Sequence, residues 1–520
     1  MRIANPLYTV TVTFNLHPLP MPFISSRRIA YALAAALFAL GALLRLMDST
    51  DPPLDFHATR QLRNAIIARS IYYETRTDLD PAEREAIVRQ RNLVGRYEPP
   101  IVETLTAWGY RLAGGETWVV PRLWSTLFWL LGGLALFDLA QRATNFDGAL
   151  AALAFYLLLP FGVQASRSFQ PDPLMTLWIV LAAWALYRWA EHPAWGWALG
   201  AGIFGGLAAL TKIVAAYLVG GAALAVVLST FGLRKSLKNA QVWGMAALMV
   251  APSLLYYVFG APDTASEYFV NWTLKLLHLI TDPGFYVRWM SFLGSLIGLV
   301  PLFVGLLGMV IASTRLRSLL LGLWGGYLLY GLTLPYQMYT HSYYHLQLIP
   351  LVALSLAPMA QRILSALAEQ PKVWRVAGAL VMLLAAAYPA WIARSTLLGQ
   401  DFRAEPAYWR AVAAEIPADG DVVALTQDYG YRLMYFGGRA LDLWPITGEQ
   451  ELAEMRGGAA DFERIFARNA AGKDYFVVTA MGQWKRQPAL RDYLTEHYPL
   501  IAEGDGYLIF DLRSPSTPDP

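Results

Sequence analysis

About eleven apolar stretches dominate this 520-residue sequence. A helix needs ~20 residues to cross the ~30 Å hydrocarbon core of a bilayer, and the stretches have about that length. They occupy residues 29–47, 117–140, 148–165, 173–190, 195–211, 213–230, 241–260, 287–311, 318–334, 345–361 and 376–394. A hydrophobic content of 56% with only 15% charged residues is also typical of membrane proteins. The sequence therefore predicts a polytopic α-helical membrane protein with about 11 transmembrane helices.

Basic residues in the short connections set the orientation of these spans. If residues 1–28 are cytoplasmic, the loops on the same side contain Arg27, Arg28, Arg142, Arg234, Lys235, Lys238, Arg315, Arg317, Arg362, Lys372 and Arg375. Cytoplasmic loops carry such an excess of Lys and Arg, so we expect this orientation, with a transmembrane domain over residues 29–395. We expect no cleavable signal peptide, and Met21 is an alternative start because residues 1–20 fit no predicted element.

The first outer loop, residues 48–116, is long enough to contain helices of its own. Asp80 is suited to an N-cap and Pro81 to the first helical position, while Glu85 stands four residues before Arg89. These signals predict a surface helix. Residues 57–73 are weakly amphipathic and rich in arginine, which favours a helix in the headgroup plane.

The composition changes after residue 395 to that of a soluble domain. Residues 421–427, 473–480 and 506–512 are short apolar runs typical of buried strands, and helical patterns separate them. We therefore predict a small extracytoplasmic α/β domain over residues 396–520, in which we recognise no catalytic motif.

The number of cysteines and the net charge exclude several classes of function. The sequence contains no cysteine, which excludes disulfides, thiolate zinc sites and a cysteine nucleophile. Its formal net charge of +3 gives no electrostatic support for a nucleic-acid partner.

Polar residues cluster at the outer membrane boundary, whereas the cytoplasmic loops show only basic anchors. Such residues are costly near a bilayer unless they are solvated or functional. The outer set comprises Asp55, His57, Arg60, Glu98, Arg167, Asp172, Lys212, His341, Tyr344 and His345. This one-sided distribution predicts a site at the outer boundary.

Each of these residues also has a structural interpretation. Asp55 fits a solvated loop acid, and Asp172 complements the dipole of the span that it opens. Pro99 and Pro100 fix an extended turn after Glu98, as prolines do in many loops. Histidines 341 and 345, four residues apart, suit either a metal ion or an interfacial aromatic belt. A lysine at position 212, inside apolar sequence, needs an anion or water.

The order of the motifs resembles the GT-C superfamily of integral membrane glycosyltransferases. An aspartate follows the first span, "YEPP" closes the first outer loop, "RSFQPDPLMTLW" opens the fourth span and "LTK" ends the fifth. Over residues 29–395 the match is closest to the branch that includes protein O-mannosyltransferases and the aminoarabinose transferase acting on lipid A.

This resemblance implies a sugar transfer at the outer face of a bacterial cytoplasmic (inner) membrane. The donor would be a polyprenyl-phosphate-linked sugar, and the acceptor a lipid, glycan or protein hydroxyl of the envelope. Asp55 would be the general base, while Glu98 and Asp172 would line the same cavity. Inverting transfer needs a carboxylate ~2.6–3.2 Å from the attacking hydroxyl and positive charge at the departing phosphate.

The resemblance also suggests ligands for the phosphate, the sugar and a metal. We expect substrate or phosphate contacts from Arg60, Arg167, Lys212, Lys275, His341, Tyr344 and His345. A divalent metal ion is a candidate cofactor, with Glu98 and His278 as its ligands. In these positions the sequence departs from its relatives. Pro99 directly follows Glu98, and both Lys275 and His278 are offset along the chain from the positions that the relatives use.

The strongest alternative is a transporter or flippase for a lipid-linked sugar. Such proteins usually show paired halves and polar groups near the membrane midplane. Here the polar groups favour one boundary, and we find no internal repeat. The sequence names neither the sugar nor the acceptor.

Overall fold

The computed structural model describes residues 21–515, except residues 96, 261, 419 and 459–460. The predictions for residues 1–20 lie outside this range. Eighteen α-helices form the described chain up to residue 398: α1 (Arg27–Leu46), α2 (Ala58–Glu74), α3 (Pro81–Leu93), α4 (Ile101–Ala113), α5 (Val119–Ala143), α6 (Phe146–Leu158), α7 (Pro160–Ser166), α8 (Asp172–Glu191), α9 (Trp195–Thr211), α10 (Ala215–Ser236), α11 (Ala240–Leu255), α12 (Pro262–Trp272), α13 (Pro283–Leu296), α14 (Leu299–Ile311), α15 (Thr314–Thr333), α16 (Gln337–Thr340), α17 (Leu348–Ala368) and α18 (Lys372–Leu398).

Every apolar stretch singled out in the sequence overlaps a helix, but breaks divide some of them. Within the described residues, seven helical segments are long and apolar enough to cross a membrane, or nine if each bent pair is one span. The pair α6 and α7 bends by 61° and the pair α13 and α14 by 98°. Pro160, the first residue of α7, has no backbone N–H to continue α6, and Gly298 has a φ of +88° before α14. The count of about 11 spans stays a prediction.

Glycines let α10 and α15 approach closely. A Cβ atom added at Gly221 or at Gly322 would collide with the backbone of the opposite helix, as would one at Gly326. Small residues of this kind allow the tight packing by which helices associate in membranes. This contact holds the start of α10, next to Lys212, in a defined position.

The first outer loop folds into α2, α3 and α4. Helix α3 begins as predicted, since the Asp80 carboxylate accepts a hydrogen bond from the Ala82 N–H at 2.7 Å and Pro81 is the first residue. Arg89 and Glu85 form the expected pair at 3.0 Å. Helix α2 packs against α3 and α4, and Leu62 is buried in this contact, so the position of the helix in the headgroup plane stays a prediction. Its weak amphipathicity reflects contacts on several sides.

The C-terminal domain is α/β. It contains α19 (Glu405–Glu415), β1 (Val422–Leu425), α20 (Tyr431–Gly437), β2 (Asp442–Leu443), α21 (Thr447–Met455), α22 (Phe462–Asn469), β3 (Tyr475–Val478), α23 (Met481–Arg486), α24 (Pro488–His497), β4 (Leu500–Gly504) and β5 (Tyr507–Asp511). The strand order is β2-β1-β3-β5-β4, with β1 parallel to β2 and β3, and β5 antiparallel to β3 and β4. The three predicted strands contain β1, β3 and β5. The sequence missed β2, which has two residues, and the exposed edge strand β4.

The C-terminal domain contacts the first outer loop. The Asp51 carboxylate accepts a hydrogen bond from the Phe402 N–H at 2.9 Å, and Arg403 pairs with Asp48. Helix α2 also contacts α20. The domain and the first outer loop therefore lie on the same side of the membrane helices.

Candidate functional site

A cavity of about 680 Å³ lies where the first outer loop, the helices α10 to α12 and the C-terminal domain meet. Both loop segments and membrane helices contribute to its wall. Of the residues singled out in the sequence, the cavity wall contains Arg60, Glu98, Lys212, His341 and Tyr344. The structure thus brings together side chains that are far apart along the chain.

His57 marks the start of α2 and also lines the cavity. Its φ of +47° is unusual for a residue other than glycine, and such backbone conformations are enriched at functional sites. The imidazole Nε2 lies 2.8 Å from the Ser342 hydroxyl, and the ring meets Tyr343 edge-on. Burial lowers the pKa of His57 to about 4, with further contributions from Arg60 and Lys212. The imidazole is therefore neutral at neutral pH.

Glu98 binds the arginines of α2. Its carboxylate lies 2.6 Å from an Arg60 nitrogen and 4.0 Å from an Arg63 nitrogen. Burial alone would raise the pKa of Glu98, but these two guanidinium groups lower it below its ordinary value. The cavity wall therefore contains an ionised carboxylate that holds Arg60 in place.

Lys212 occupies the break between α9 and α10. Its ammonium group lies 2.9 Å from the Asp172 carboxylate, 4.7 Å from the centre of the Tyr343 ring and 4.5 Å from that of Tyr344. Aromatic faces and a carboxylate together stabilise a cation that is almost completely removed from water. Asp172 does not line the cavity itself but acts on it through Lys212.

Asp55 is only 7% exposed and is enclosed by protein rather than lining the cavity. Arg167 lies 3.4 Å and Arg122 3.6 Å from its carboxylate oxygens. Arg167 also donates a hydrogen bond to the Met47 carbonyl at 2.7 Å, so it holds Asp55 in position instead of facing the cavity.

Gln61 joins the two loops that carry these acids. Its amide nitrogen lies 2.7 Å from the Phe56 carbonyl and 3.2 Å from the Asp55 carboxylate. Its amide oxygen accepts a hydrogen bond from the Phe169 N–H at 2.9 Å. Gln61 thereby connects the segment around Asp55 to the "RSFQPDP" loop that leads to Asp172. Sequence reasoning missed it, because a glutamine on a helix has no local signal of burial.

Three further predicted site residues also lie outside the cavity wall. His345 is fully buried, and its ring nitrogens are bound to the Tyr327 hydroxyl at 2.6 Å and the Met338 carbonyl at 3.0 Å. Lys275 and His278 belong to the 3₁₀ helix Leu274–Thr281 and are exposed. Both are absent from the cavity wall because Leu276 and Leu279 form the buried side of this short helix.

The expected metal ligands do not fit a metal ion. Glu98 is bound by Arg60 and lies near Arg63, so positive charge already occupies the place of a cation. His278 lies on the exposed 3₁₀ helix described above. Within the part of the chain that the structure describes, no three His, Asp or Glu side chains form a group that could hold a metal ion. We therefore derive no metal-dependent step.

A second, apolar groove of about 310 Å³ continues from the cavity between α10 and α11. The described residues that line it are all Ala, Gly, Val, Leu or Met. The two spaces share Ala209, Ala216, Met249 and Val250, so the charged cavity opens directly into the apolar groove.

Comparisons with known proteins identify the architecture. Residues 97–257 match the family described as dolichyl-phosphate-mannose-protein mannosyltransferase. A search of curated protein sequences finds no match. The apo structure of ArnT from Cupriavidus metallidurans superposes with a TM-score of 0.56 at 17% identity, over 92% of this chain and 98% of that chain. The oligosaccharyltransferase AglB from Archaeoglobus fulgidus, in complex with an inhibitory peptide and a dolichol-phosphate, has a TM-score of 0.54 at 13% identity, over 87% of this chain and 69% of that chain.

The chain has the fold of these two membrane proteins. This result confirms the fold class that the sequence motifs predicted, including a small C-terminal domain. Because the ArnT alignment covers nearly the whole of both chains, the similarity extends beyond the membrane helices.

The C-terminal domain contributes to the 680 Å³ cavity through Tyr429 and Tyr431. Both follow β1 in the sequence, in a part of the chain where we had recognised no functional motif. Two tyrosines in a soluble domain are an ordinary feature, and only their position over the membrane cavity distinguishes them.

Proposed function

We propose that the protein is a membrane glycosyltransferase that transfers a sugar from a polyprenyl-phosphate-linked donor to an acceptor hydroxyl at the outer face of the membrane. One observation carries this proposal: the cavity with Arg60 and Lys212 continues into the apolar groove between α10 and α11. A polyprenyl phosphate has the same division, with a charged head and an apolar tail.

Arg60 and Lys212 are the proposed phosphate ligands. A guanidinium group has five N–H donors, and the salt bridge to Glu98 occupies only part of them. The Arg60 Nε is buried and has no hydrogen-bond partner among the described residues. An unpaired buried donor is costly, and a phosphate oxygen in the cavity would satisfy it.

The polyprenyl tail is assigned to the apolar groove. ArnT from Cupriavidus metallidurans has also been solved with bound undecaprenyl phosphate, and that structure is similar to this chain. The TM-score is 0.53 at 17% identity, over 93% of this chain and 97% of that chain. Burial of each tail CH₂ group contributes ~0.8 kcal/mol, so the groove supplies affinity without specificity for the sugar.

Asp55 is the proposed general base. Its distances of 3.4 and 3.6 Å to Arg167 and Arg122 are longer than those of strong charge-assisted bonds. The arginines therefore do not bind the carboxylate tightly, and although it does not line the cavity in this structure, catalytic hydrogen bonds often form fully only when substrates are present.

The reaction would be a single displacement of a hexosyl or pentosyl group. The acceptor oxygen forms a bond to the anomeric carbon, while the bond from this carbon to the phosphate oxygen breaks. The hydroxyl proton passes to Asp55, and polyprenyl phosphate leaves with its charge stabilised by Lys212 and Arg60. One displacement inverts the anomeric configuration, which NMR of the product measures.

Transfer assays test the role of Asp55. Full-length protein in proteoliposomes is given a radiolabelled polyprenyl-phosphate sugar and membranes from a strain that lacks the gene. We expect Asp55→Asn to reduce transfer by ~10²-fold or more, since general base catalysis typically contributes 10²–10⁴-fold. Binding of undecaprenyl phosphate should be unchanged, and Asp492→Asn, at an exposed carboxylate of α24, is the matched control.

Two outcomes would contradict the proposal. Substantial transfer by Asp55→Asn would reject this residue as the base. Movement of the labelled lipid between leaflets without any transfer would favour a flippase and reject the transferase.

A further inference from the structure

The residues that the C-terminal domain contributes to the cavity wall come after a parallel strand in the sequence. Tyr429 and Tyr431 come directly after the carboxyl end of β1, which has parallel partners on both sides. In open α/β sheets, ligand-binding residues are found outside the carboxyl ends of the parallel strands. The domain therefore faces the membrane cavity with the edge at which such sheets commonly bind ligands.

The backbone at this edge has an unusual conformation. Asp428, Tyr429 and Gly430 have consecutive positive φ angles of 50°, 56° and 72°. Glycine suits the third position, since it adopts a positive φ without strain and a Cβ atom there would lie 2.6 Å from a methyl group of Leu441. The first two residues adopt the left-handed conformation at a cost in free energy, and such strain persists where surrounding contacts enforce it and clusters at functional sites.

Contacts with α2 and within the domain enforce this conformation. One oxygen of the Asp428 carboxylate accepts a hydrogen bond from the Thr59 hydroxyl at 3.0 Å, and the other accepts one from the Arg432 Nε at 2.6 Å. Thr59 precedes Arg60, the proposed phosphate ligand. The loop is thus fixed relative to the residue that would hold the donor phosphate.

The ring of Tyr429 is left partly free by this arrangement. It is 45% exposed, whereas Tyr431 is only 9% exposed, and the two ring centres are 6.2 Å apart with an angle of 30° between their planes. The strained backbone therefore presents a half-exposed aromatic ring, supported by a second one, at the cavity wall.

We propose that Tyr429 is a specificity-determining residue that stacks on a sugar ring of the acceptor, so that the acceptor is a saccharide. This inference rests on the proposed function and deepens it. Aromatic side chains offer a large apolar face with a polar tip, which suits the apolar face and the hydroxyl groups of a pyranose. A peptide acceptor would instead favour main-chain hydrogen bonds or a free sheet edge, and the domain contributes only two tyrosine side chains to the described cavity wall.

Steady-state kinetics test this assignment. The variants are Tyr429→Ala, Tyr429→Phe and the control Leu500→Ala, which removes another side chain that is 45% exposed, on β4 of the same domain. The assay uses the radiolabelled polyprenyl-phosphate sugar and increasing amounts of membranes from a strain that lacks the gene. For Tyr429→Ala we expect the half-saturating amount of acceptor to rise roughly tenfold, with a maximal rate changed by less than about threefold. Leu500→Ala should remain within about twofold of the unaltered protein, and Tyr429→Phe, which keeps the ring but not the hydroxyl, should raise the half-saturating amount of acceptor less than Tyr429→Ala does.

Tyr429→Gly separates recognition from folding. Glycine adopts a φ of 56° without strain, so this variant should melt no lower than Tyr429→Ala. It should nevertheless lose as much acceptor affinity, because the ring is missing. If the loss of affinity followed the melting temperature across the variants instead, Tyr429 would have a structural role and the inference would be wrong.

Saturation-transfer NMR gives a readout that does not depend on transfer. Methyl glucoside and methyl mannoside are the saccharide probes, and a serine-containing peptide is the comparison. Saturation of the pyranose ring protons by the unaltered protein, weakened in Tyr429→Ala, would support stacking even if no transferase activity were found. Equal saturation in both proteins, preferential binding of the peptide, or labelled sugar recovered on protein would overturn the inference. Label recovered on glycolipid or on polysaccharide would support it and identify the source.

Discussion

The buried pair between Lys212 and Asp172 yields the sharpest prediction about stability. At 2.9 Å and an effective dielectric constant of ~20, the attraction between the two charges is about 6 kcal/mol. Most of this value offsets the cost of removing both charges from water. Asp172→Asn leaves the ammonium group of Lys212 without its counter-ion, and breaking a buried pair in this way typically costs ~3–5 kcal/mol. We expect the stability of the variant to fall by about that amount.

A phosphate bound beside Lys212 should replace the missing carboxylate. Undecaprenyl phosphate should therefore raise the melting temperature of Asp172→Asn more than that of the unaltered protein. Thermal melts of detergent-solubilised protein with and without the lipid measure this difference. Asp138→Asn is the control, because Asp138 pairs with Arg142 at a partly exposed position 2.7 Å away. An exposed pair of this type contributes only ~0.3–0.5 kcal/mol and should show no extra response to the lipid.

The double variant Asp172→Leu with Lys212→Met completes the test. Replacing a buried ion pair by apolar residues is often neutral or stabilising, so this protein should melt near the unaltered one but bind undecaprenyl phosphate more weakly. Equal stabilisation of Asp172→Asn and of the unaltered protein by the lipid would refute Lys212 as a phosphate ligand.

Two further predictions concern the first outer loop. Burial raises the pKa of Glu103 to about 7 from its ordinary value of 4.5, so its contribution to stability is complete below pH 4.5 and is lost as the pH rises towards 7. Thermal melts of Glu103→Gln should lack this part of the pH dependence, and an unchanged pH profile would contradict the assignment. Gln61→Leu should lower the free energy of unfolding by about 1–3 kcal/mol, because it leaves the Phe169 N–H unpaired and leaves the Phe56 carbonyl with only the longer hydrogen bond from Gln170. Transfer should fall as well in Gln61→Leu, and retention of full activity would show that this link does not position the acids.

Much of the architecture follows from signals that lie close together in the sequence. The lengths of the apolar stretches predicted a membrane protein, and the capping residue Asp80 with Pro81 predicted the start of α3. The apolar runs around β1, β3 and β5 predicted a small sheet. Each signal depends on neighbours within one helical turn or one strand, so it can be read without the fold.

The candidate site was predictable in part. The polarity pattern grouped Arg60, Glu98 and Lys212 at one membrane boundary, and all three line the cavity. The same pattern also included His345, which the fold uses for hydrogen bonds between helices. A histidine next to a span has the same sequence signal whether it faces a cavity or a neighbouring helix.

The sequence by itself determined that the chain is a membrane protein with many apolar helices and that a small α/β domain follows them. Only the tertiary structure decided that Gln61 bonds to Phe169, 108 residues further along the chain, and that Tyr429 lies over a cavity formed mainly by membrane helices. The physical reason is the range of the interactions. Span length, capping and strand periodicity act between near neighbours, whereas a binding site is made by contacts whose partners become adjacent only after the chain has packed.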